Sequence, residues 1–242
     1  MKNFGTEERI VQFENVRGNE HIYTLDESGF YFGNHPSDYK SFRNDEEIEK
    51  EYYPESIDLI KRLTGAIKVV LFDHTVRRRE GAPGFDPVKR GPVPHVHVDQ
   101  SSSAAHSRVH RHLPEDEAEE RLKRRFQIIN LWRPISHPAF DWPLGLCDFR
   151  SVDREKDFVP LDLIWPDRTG QTLGVRYNPE HKWKYLKGMT PNECILIKCY
   201  DSIEDGSVAV FTPHTAFEDP TTPAGTPFRE SIELRALVFY DD

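Results

Sequence analysis

The residues best equipped for chemistry stand in Val93-Pro94-His95-Val96-His97-Val98-Asp99. On a strand, alternate side chains share a face. His95, His97 and Asp99 are therefore expected on one side, with Val96 and Val98 in the packing on the other. Two imidazoles and a carboxylate on one face suit iron(II), which keeps its opposite positions open for substrate and oxygen. His97-x-Asp99 supplies two such ligands from one strand, so the third must come from a distant one. Of 11 histidines, His214 in Phe211-Thr212-Pro213-His214-Thr215-Ala216-Phe217 follows a strand-like run and is the expected third ligand. His95 is expected to support the site rather than to ligate.

Fifteen residues after His214 comes Arg229-Glu230-Ser231, at the head of the last strand-like run. An arginine offers a rigid fork of donors that grips a carboxylate in two places. A serine two residues along faces the same side and adds a hydroxyl. Arg229 and Ser231 make a seat for the distal carboxylate of 2-oxoglutarate. His-x-Asp, then His, then Arg-x-Ser is far more specific than any of its parts.

In this order of motifs the chain resembles the 2-oxoglutarate-dependent oxygenases. More closely it resembles the fungal and bacterial group of gibberellin-desaturase-like and cephalosporin-methoxylase-related proteins. The resembling segments are His95–Asp99, Asn130–Pro134, Trp142–Asp148, Lys198–Ser202, Pro213–Phe217 and Arg229–Arg235. They fall between about residues 90 and 240. The resemblance implies a double-stranded β-helix (jelly-roll) core. It also implies iron(II) as cofactor, 2-oxoglutarate as co-substrate, and hydroxylation, desaturation or ring formation on a small-molecule natural-product intermediate. It matches His97, Asp99 and His214 to the iron ligands, Arg229 to the co-substrate arginine and Ser231 to its hydroxyl partner. Asn130 belongs to a motif of the group; as a strand neighbour of Trp132 it is expected to donate to the metal-proximal carboxylate of 2-oxoglutarate. Arg133, Tyr177 and Tyr185 have no clear role from sequence, the two tyrosines being weaker candidates for the same pocket.

Three other functions stay open at this stage. His95-x-His97-x-Asp99 also resembles the opening motif of metallo-β-lactamase-type zinc hydrolases, although their next residue is histidine and here it is Gln100. A non-oxidative isomerase or cyclase on the same barrel would keep the metal but has no use for Arg229 and Ser231. A non-catalytic binding module would leave an open ligand cluster and a costly unpaired arginine.

These residues need strands to carry them. Short β-branched and aromatic runs recur at Ile22–Leu25, Gly29–Phe32, Ala66–Phe72, Phe126–Trp132, Cys194–Tyr200, Ser207–Thr212 and Ser231–Tyr240, and most of the 18 prolines and 14 glycines fall between them. That spacing predicts a sandwich or barrel. Two helices are expected, at about Asp45–Leu63, interrupted near Pro54, and at about Pro114–Arg125. The segment from about Gln100 to Arg125 is expected to act as a lid: its first part, with His106, His110 and His112, is rich in serine and histidine and shows neither period, and its second part is the charged helix. The prediction is one domain, residues 1–242. Strands and a helix in 1–75 pack on a jelly-roll core at 90–242.

Fifteen Phe, nine Tyr and four Trp can fill such a core, which excludes a disordered chain. A formal net charge of −9 argues against nucleic acid or an anionic membrane as partner. With three cysteines in no zinc spacing, a polar start and no long apolar run, a cytoplasmic protein without a membrane segment is expected. The sequence is silent on oligomeric state.

Overall fold

The structure is a computed structural model that describes residues 4–79, 91–164 and 169–241. Its strands are β1 (Phe13–Asn15), β2 (Phe30–Asn34), β3 (Lys68–Arg78), β4 (His97–Val98), β5 (Phe126–Pro134) and β6 (Leu144–Cys147), then β7 (Phe158–Ile164), β8 (Thr169–Val175), β9 (Trp183–Tyr185), β10 (Glu193–Asp201), β11 (His214–Ala216) and β12 (Glu230–Phe239). They form two sheets, ordered β1-β9-β6-β11-β4-β8-β7 and β2-β10-β5-β12-β3. All pairings are antiparallel except β1 with β9. This is the jelly roll expected from the sequence.

The strand period decides what faces what. In β5, Phe126, Ile128 and Trp132 join the core between the sheets, where they meet Val98, Leu146 and Ile197. Ile129 and Leu131 point the other way, into a second core beneath the helical layer. With both faces covered, β5 is buried at every position, and its β-branched and aromatic composition suits that place. β12 alternates likewise. Ile232, Leu234, Ala236 and Val238 enter the outer core, while Leu237 and Phe239 face the other sheet. By the same period Ser231, Glu233 and Arg235 face inward.

The helical layer begins with α1 (Asp45–Glu47), capped by the Asn44 side chain, which accepts from the Glu47 N–H at 3.1 Å. A π-helical turn, Ile48–Tyr52, joins it to α2 (Tyr53–Thr64). Pro54 does not break the helix, because it occupies the first turn of α2, where its missing N–H costs nothing. Gly65, at φ 74°, ends α2 in the left-handed conformation that glycine adopts without strain.

Three expectations are corrected here. The run Ile22–Leu25 is no strand: Glu20–Ile22 forms a 3₁₀ turn. Ser207–Thr212 is not a strand either. It is a loop, buried from Ala209 onward and pinned where the Thr212 hydroxyl donates to the Gly29 carbonyl at 2.5 Å, and it delivers β11. The stretch after Gln100, which shows no period in the sequence, is α3 (Ser102–His112), followed by α4 (Glu115–Arg121). The Ser101 hydroxyl caps α3 by accepting from the Ala104 N–H at 3.2 Å. Ala105 and Val109, four residues apart, are fully buried in the inter-sheet core. His106 packs edge-on against Phe126 and Tyr200, and His112 stacks on Phe72. Side-chain packing therefore holds the segment as a wall of the barrel.

Candidate metal centre and co-substrate seat

β4 and β11 lie side by side with His97 directly opposite His214. Paired residues in adjacent strands project to the same face, so the two imidazoles meet, with ring centroids 4.4 Å apart. Asp99 follows the end of β4 and turns its Oδ1 toward them, 3.3 Å from His97 Nε2 and 3.9 Å from His214 Nε2. One ligand atom from each residue lies within 4.8 Å of the other two. This is the only such group of three or more among the described residues.

Backbone carbonyls fix which nitrogen is offered. The Nδ1–H of His97 donates to the His95 carbonyl at 2.7 Å, and that of His214 to the Thr212 carbonyl at 2.9 Å. Each Nε2 therefore carries the lone pair and faces Asp99. Burial opposes charge on all three groups, and their mutual contacts decide the outcome. Burial would raise Asp99, yet the His97 imidazole and the Arg235 guanidinium hold it well below the usual carboxylate range. Burial would lower His97, yet its hydrogen bond to Asp99 raises it. His214 is lowered, by burial and then by the positive His97. Two neutral imidazoles and a carboxylate, preset in this way, fit a divalent metal such as iron(II).

Arg229 leads into β12, with Ser231 two residues on. The guanidinium is fully buried; its Nη1 donates to the Trp142 carbonyl, and its charge lies over the Trp132 ring, 5.6 Å from the centroid. Its Nε has no hydrogen-bond partner, nor has the Ser231 hydroxyl. Asp141 accepts from the Arg229 backbone N–H at 2.9 Å and pairs its other oxygen with Arg79. Among the described residues no carboxylate forms an ion pair with the Arg229 guanidinium, although the charges of Asp141 and Glu233 reach it from further off. Burial, and then the neighbouring Arg77 charge, push its pKa down to about 9. Arg77 stands opposite Ser231 across the β12–β3 pair. A buried cation with an idle donor, beside an idle hydroxyl and a second cation, is a seat for an anion.

Comparison with known proteins bears directly on this pair of sites. A family model described as an oxidoreductase/YMDC permease-like domain matches residues 1–239. The chain is 37% identical to the hydroxylase/desaturase CTB9 of Cercospora beticola, over 98% of this chain and 78% of that protein. It is 31% identical to the Fe(II)/2-oxoglutarate-dependent dioxygenase nvfI of Aspergillus novofumigatus, over 98% of this chain and 85% of that one. The solved structure of the iron and alpha-ketoglutarate-dependent endoperoxidase NvfI superposes with a TM-score of 0.82 at 30% identity, covering 95% of this chain and 85% of that one. The chain belongs to the Fe(II)/2-oxoglutarate-dependent dioxygenases.

As a dioxygenase it uses iron(II) as cofactor and 2-oxoglutarate as co-substrate, which settles the choice left open with a zinc hydrolase. His97, Asp99 and His214 converge, and Arg229 and Ser231 share the inner face of β12. Asn130 is also inside, but its Nδ2 donates to Asp99 Oδ2 at 2.7 Å and its Oδ1 has no partner. His95 stacks on Phe4 and lends its carbonyl to His97. The tyrosines are not in the pocket. Tyr177 is exposed beneath Arg9, and the Tyr185 hydroxyl donates to Asp219 at 3.2 Å. Arg133 belongs to the outer layer, donating to the His35 and Pro191 carbonyls at 3.0 and 3.3 Å. Sequence reasoning missed Glu233 and Arg235 of the dioxygenase, although the period that brought in Ser231 reaches both.

A cleft of about 200 Å³ reaches Asp99 from outside, between α3 and the tips of β7 and β8. Gln100, Ser103, Ser107 and Arg111 line one side, and Asp162 and Gln171 the other.

Proposed function

We propose that this dioxygenase binds iron(II) through His97 Nε2, Asp99 Oδ1 and His214 Nε2, seats the distal carboxylate of 2-oxoglutarate on Arg229 and Ser231, and oxidises a small-molecule natural-product intermediate that enters beside α3. One observation carries this reading. Three metal-ligating atoms converge between the sheets, and a buried guanidinium with an unpartnered Nε stands beside an unpartnered Ser231 hydroxyl at the head of β12. When bound, iron and 2-oxoglutarate together supply the oxidising power.

The chain's own residues do the rest. The His95 and Thr212 carbonyls orient the imidazoles. Arg229 and Ser231 fix the co-substrate at its far end, with Arg77 adding positive charge and Trp132 a flat wall. Val98, Leu146, Ile197 and the Ala105–Val109 face of α3 exclude water. The cleft between α3 and β7–β8 presents serine hydroxyls, amides and Arg111, a lining suited to an oxygen-bearing molecule. Three buried free cysteines fit a reducing, cytoplasmic setting. Among the described residues, no helix is long and apolar enough to cross a membrane.

The test is turnover of 2-oxoglutarate to succinate in air. We expect succinate formation to depend on added iron(II) and to vanish in Asp99→Ala. Wild-type turnover by Asp99→Ala would overturn the ligand assignment.

A further inference from the structure

The two oxygens of Asp99 have different surroundings. Oδ1 faces the imidazoles. Oδ2 is turned away, toward the other sheet. Asn130 Nδ2 donates to it at 2.7 Å, Arg235 Nε lies 3.5 Å from it, and the Cys199 thiol approaches to 3.8 Å. Arg235 is itself tied on every side. Its Nη1 donates to Thr75 Oγ1 at 3.0 Å and reaches Asp73 Oδ2 at 3.3 Å, and its Nη2 pairs with Glu233. The β12–β3 ladder sets these partners in register, with Arg235 opposite Asp73 and Glu233 opposite Thr75. The guanidinium is thus held by two adjacent strands and cannot follow Asp99 if that side chain turns.

We propose that Arg235, together with Asn130, is a positioning residue that retains Oδ2 of Asp99, so that Asp99 offers the metal one oxygen and not two. This rests on the reading that His97, Asp99 and His214 hold the iron. A carboxylate binding through both oxygens would take a further coordination position, one that co-substrate or substrate needs. The role is geometric rather than electrostatic. The positive charge of Arg235 works against a nearby divalent cation, and the Glu233 carboxylate bonded to it offsets that charge. What remains is the direction in which Nε and the Asn130 amide point.

The experiment measures manganese(II) affinity by calorimetry, and the line shape of the bound ion by electron paramagnetic resonance, on full-length protein freed of metal. Arg235→Lys keeps the charge and loses the planar fork. We expect Arg235→Lys and Asn130→Ala each to weaken manganese binding about tenfold to a hundredfold, because Asp99 loses its preset orientation, and to change the resonance line shape as the freed oxygen reaches the metal. The double variant should lose less than the product of the two, because both residues hold one oxygen. Thr75→Val removes one anchor of the guanidinium without touching Asp99. It should act in the same direction by a smaller factor, and it decides the matter if Arg235→Lys does not fold. Wild-type affinity and line shape in folded Arg235→Lys, or in Thr75→Val should the former not fold, would overturn the proposal. Asp99→Ala separates the two levels. If it keeps wild-type manganese affinity, the ligand reading fails and takes this inference with it. If it loses the metal while Arg235→Lys and Thr75→Val do not, this inference alone fails.

Discussion

Removing the Arg229 side chain should cost the enzyme most of its hold on 2-oxoglutarate while leaving the metal in place. Truncating one partner of a buried, hydrogen-bonded charge pair costs about 2–5 kcal/mol. The structure places Arg229→Ala in the middle of that range. The guanidinium is fully buried and has its Nε to spare, which favours a large loss. Ser231 and Arg77 would remain to attract the carboxylate, which limits it. A loss of about 3 kcal/mol is about 150-fold in affinity. At a 2-oxoglutarate concentration a hundred times the wild-type Kd, with manganese(II) present, the co-substrate stabilises the wild type by about 2.7 kcal/mol. The same concentration stabilises the variant by only about 0.3 kcal/mol. For a chain of this size that is a rise in Tm of about 5–11 °C against about 1 °C. The ligand-free variant should lose little stability, because the mutation also removes a buried cation that lacks an ion-pair partner among the described residues. Arg229→Lys should rescue poorly, since an ammonium cannot reproduce the fork. A differential scan settles the matter. A wild-type thermal response to 2-oxoglutarate in Arg229→Ala would refute the seat.

Three further outcomes are expected. His97→Ala, Asp99→Ala and His214→Ala should each lose bound iron on metal analysis, whereas His95→Ala should retain most of it, because its carbonyl contact to His97 survives truncation; metal loss at His95 equal to that at His97 would revive a larger ligand set. Val109→Ala should lower stability by about 1–3 kcal/mol, seen as a drop in Tm, because α3 contributes to the inter-sheet core; an unchanged Tm would mean that α3 does not pack there. Asp201→Ala should destabilise by about 3–5 kcal/mol in urea unfolding. It strands the fully buried Lys198, whose ammonium lies 2.7 Å from Asp201 and 2.8 Å from the more exposed Asp26; a change under 1 kcal/mol would show that Asp26 suffices.

The metal cluster was legible because two ligands sit two residues apart, one on a short strand and one just past its end, and because His214 and Arg229-x-Ser231 recur at a family's spacing. The strands β5, β10 and β12 were legible from apolar runs long enough to be buried on both faces. α3 was not. Its residues are mostly serine, histidine and arginine, so its core face shows only as Ala105 and Val109, too few to reveal a helical period. The run Ser207–Thr212 misled for the opposite reason. Its side chains are apolar enough for a strand, but no neighbouring strand offers it a ladder, so it stays a loop. Glu233 and Arg235 were within reach of the sequence, since β12 alternates without a break from Ser231. What the sequence lacked was the register that sets Arg235 beside Asp73 and Asn130, and with it the contact to Asp99.

The central claim is that one inter-sheet space holds both the metal on His97, Asp99 and His214 and the co-substrate on Arg229. A crystal structure with manganese(II) and 2-oxoglutarate, grown without oxygen, tests it most directly. The account predicts the metal bonded to Nε2 of both histidines and to Asp99 Oδ1, with the keto-acid end of 2-oxoglutarate on the metal and its other carboxylate against Arg229 and Ser231. A metal held without Asp99, or a distal carboxylate seated away from Arg229, would contradict it.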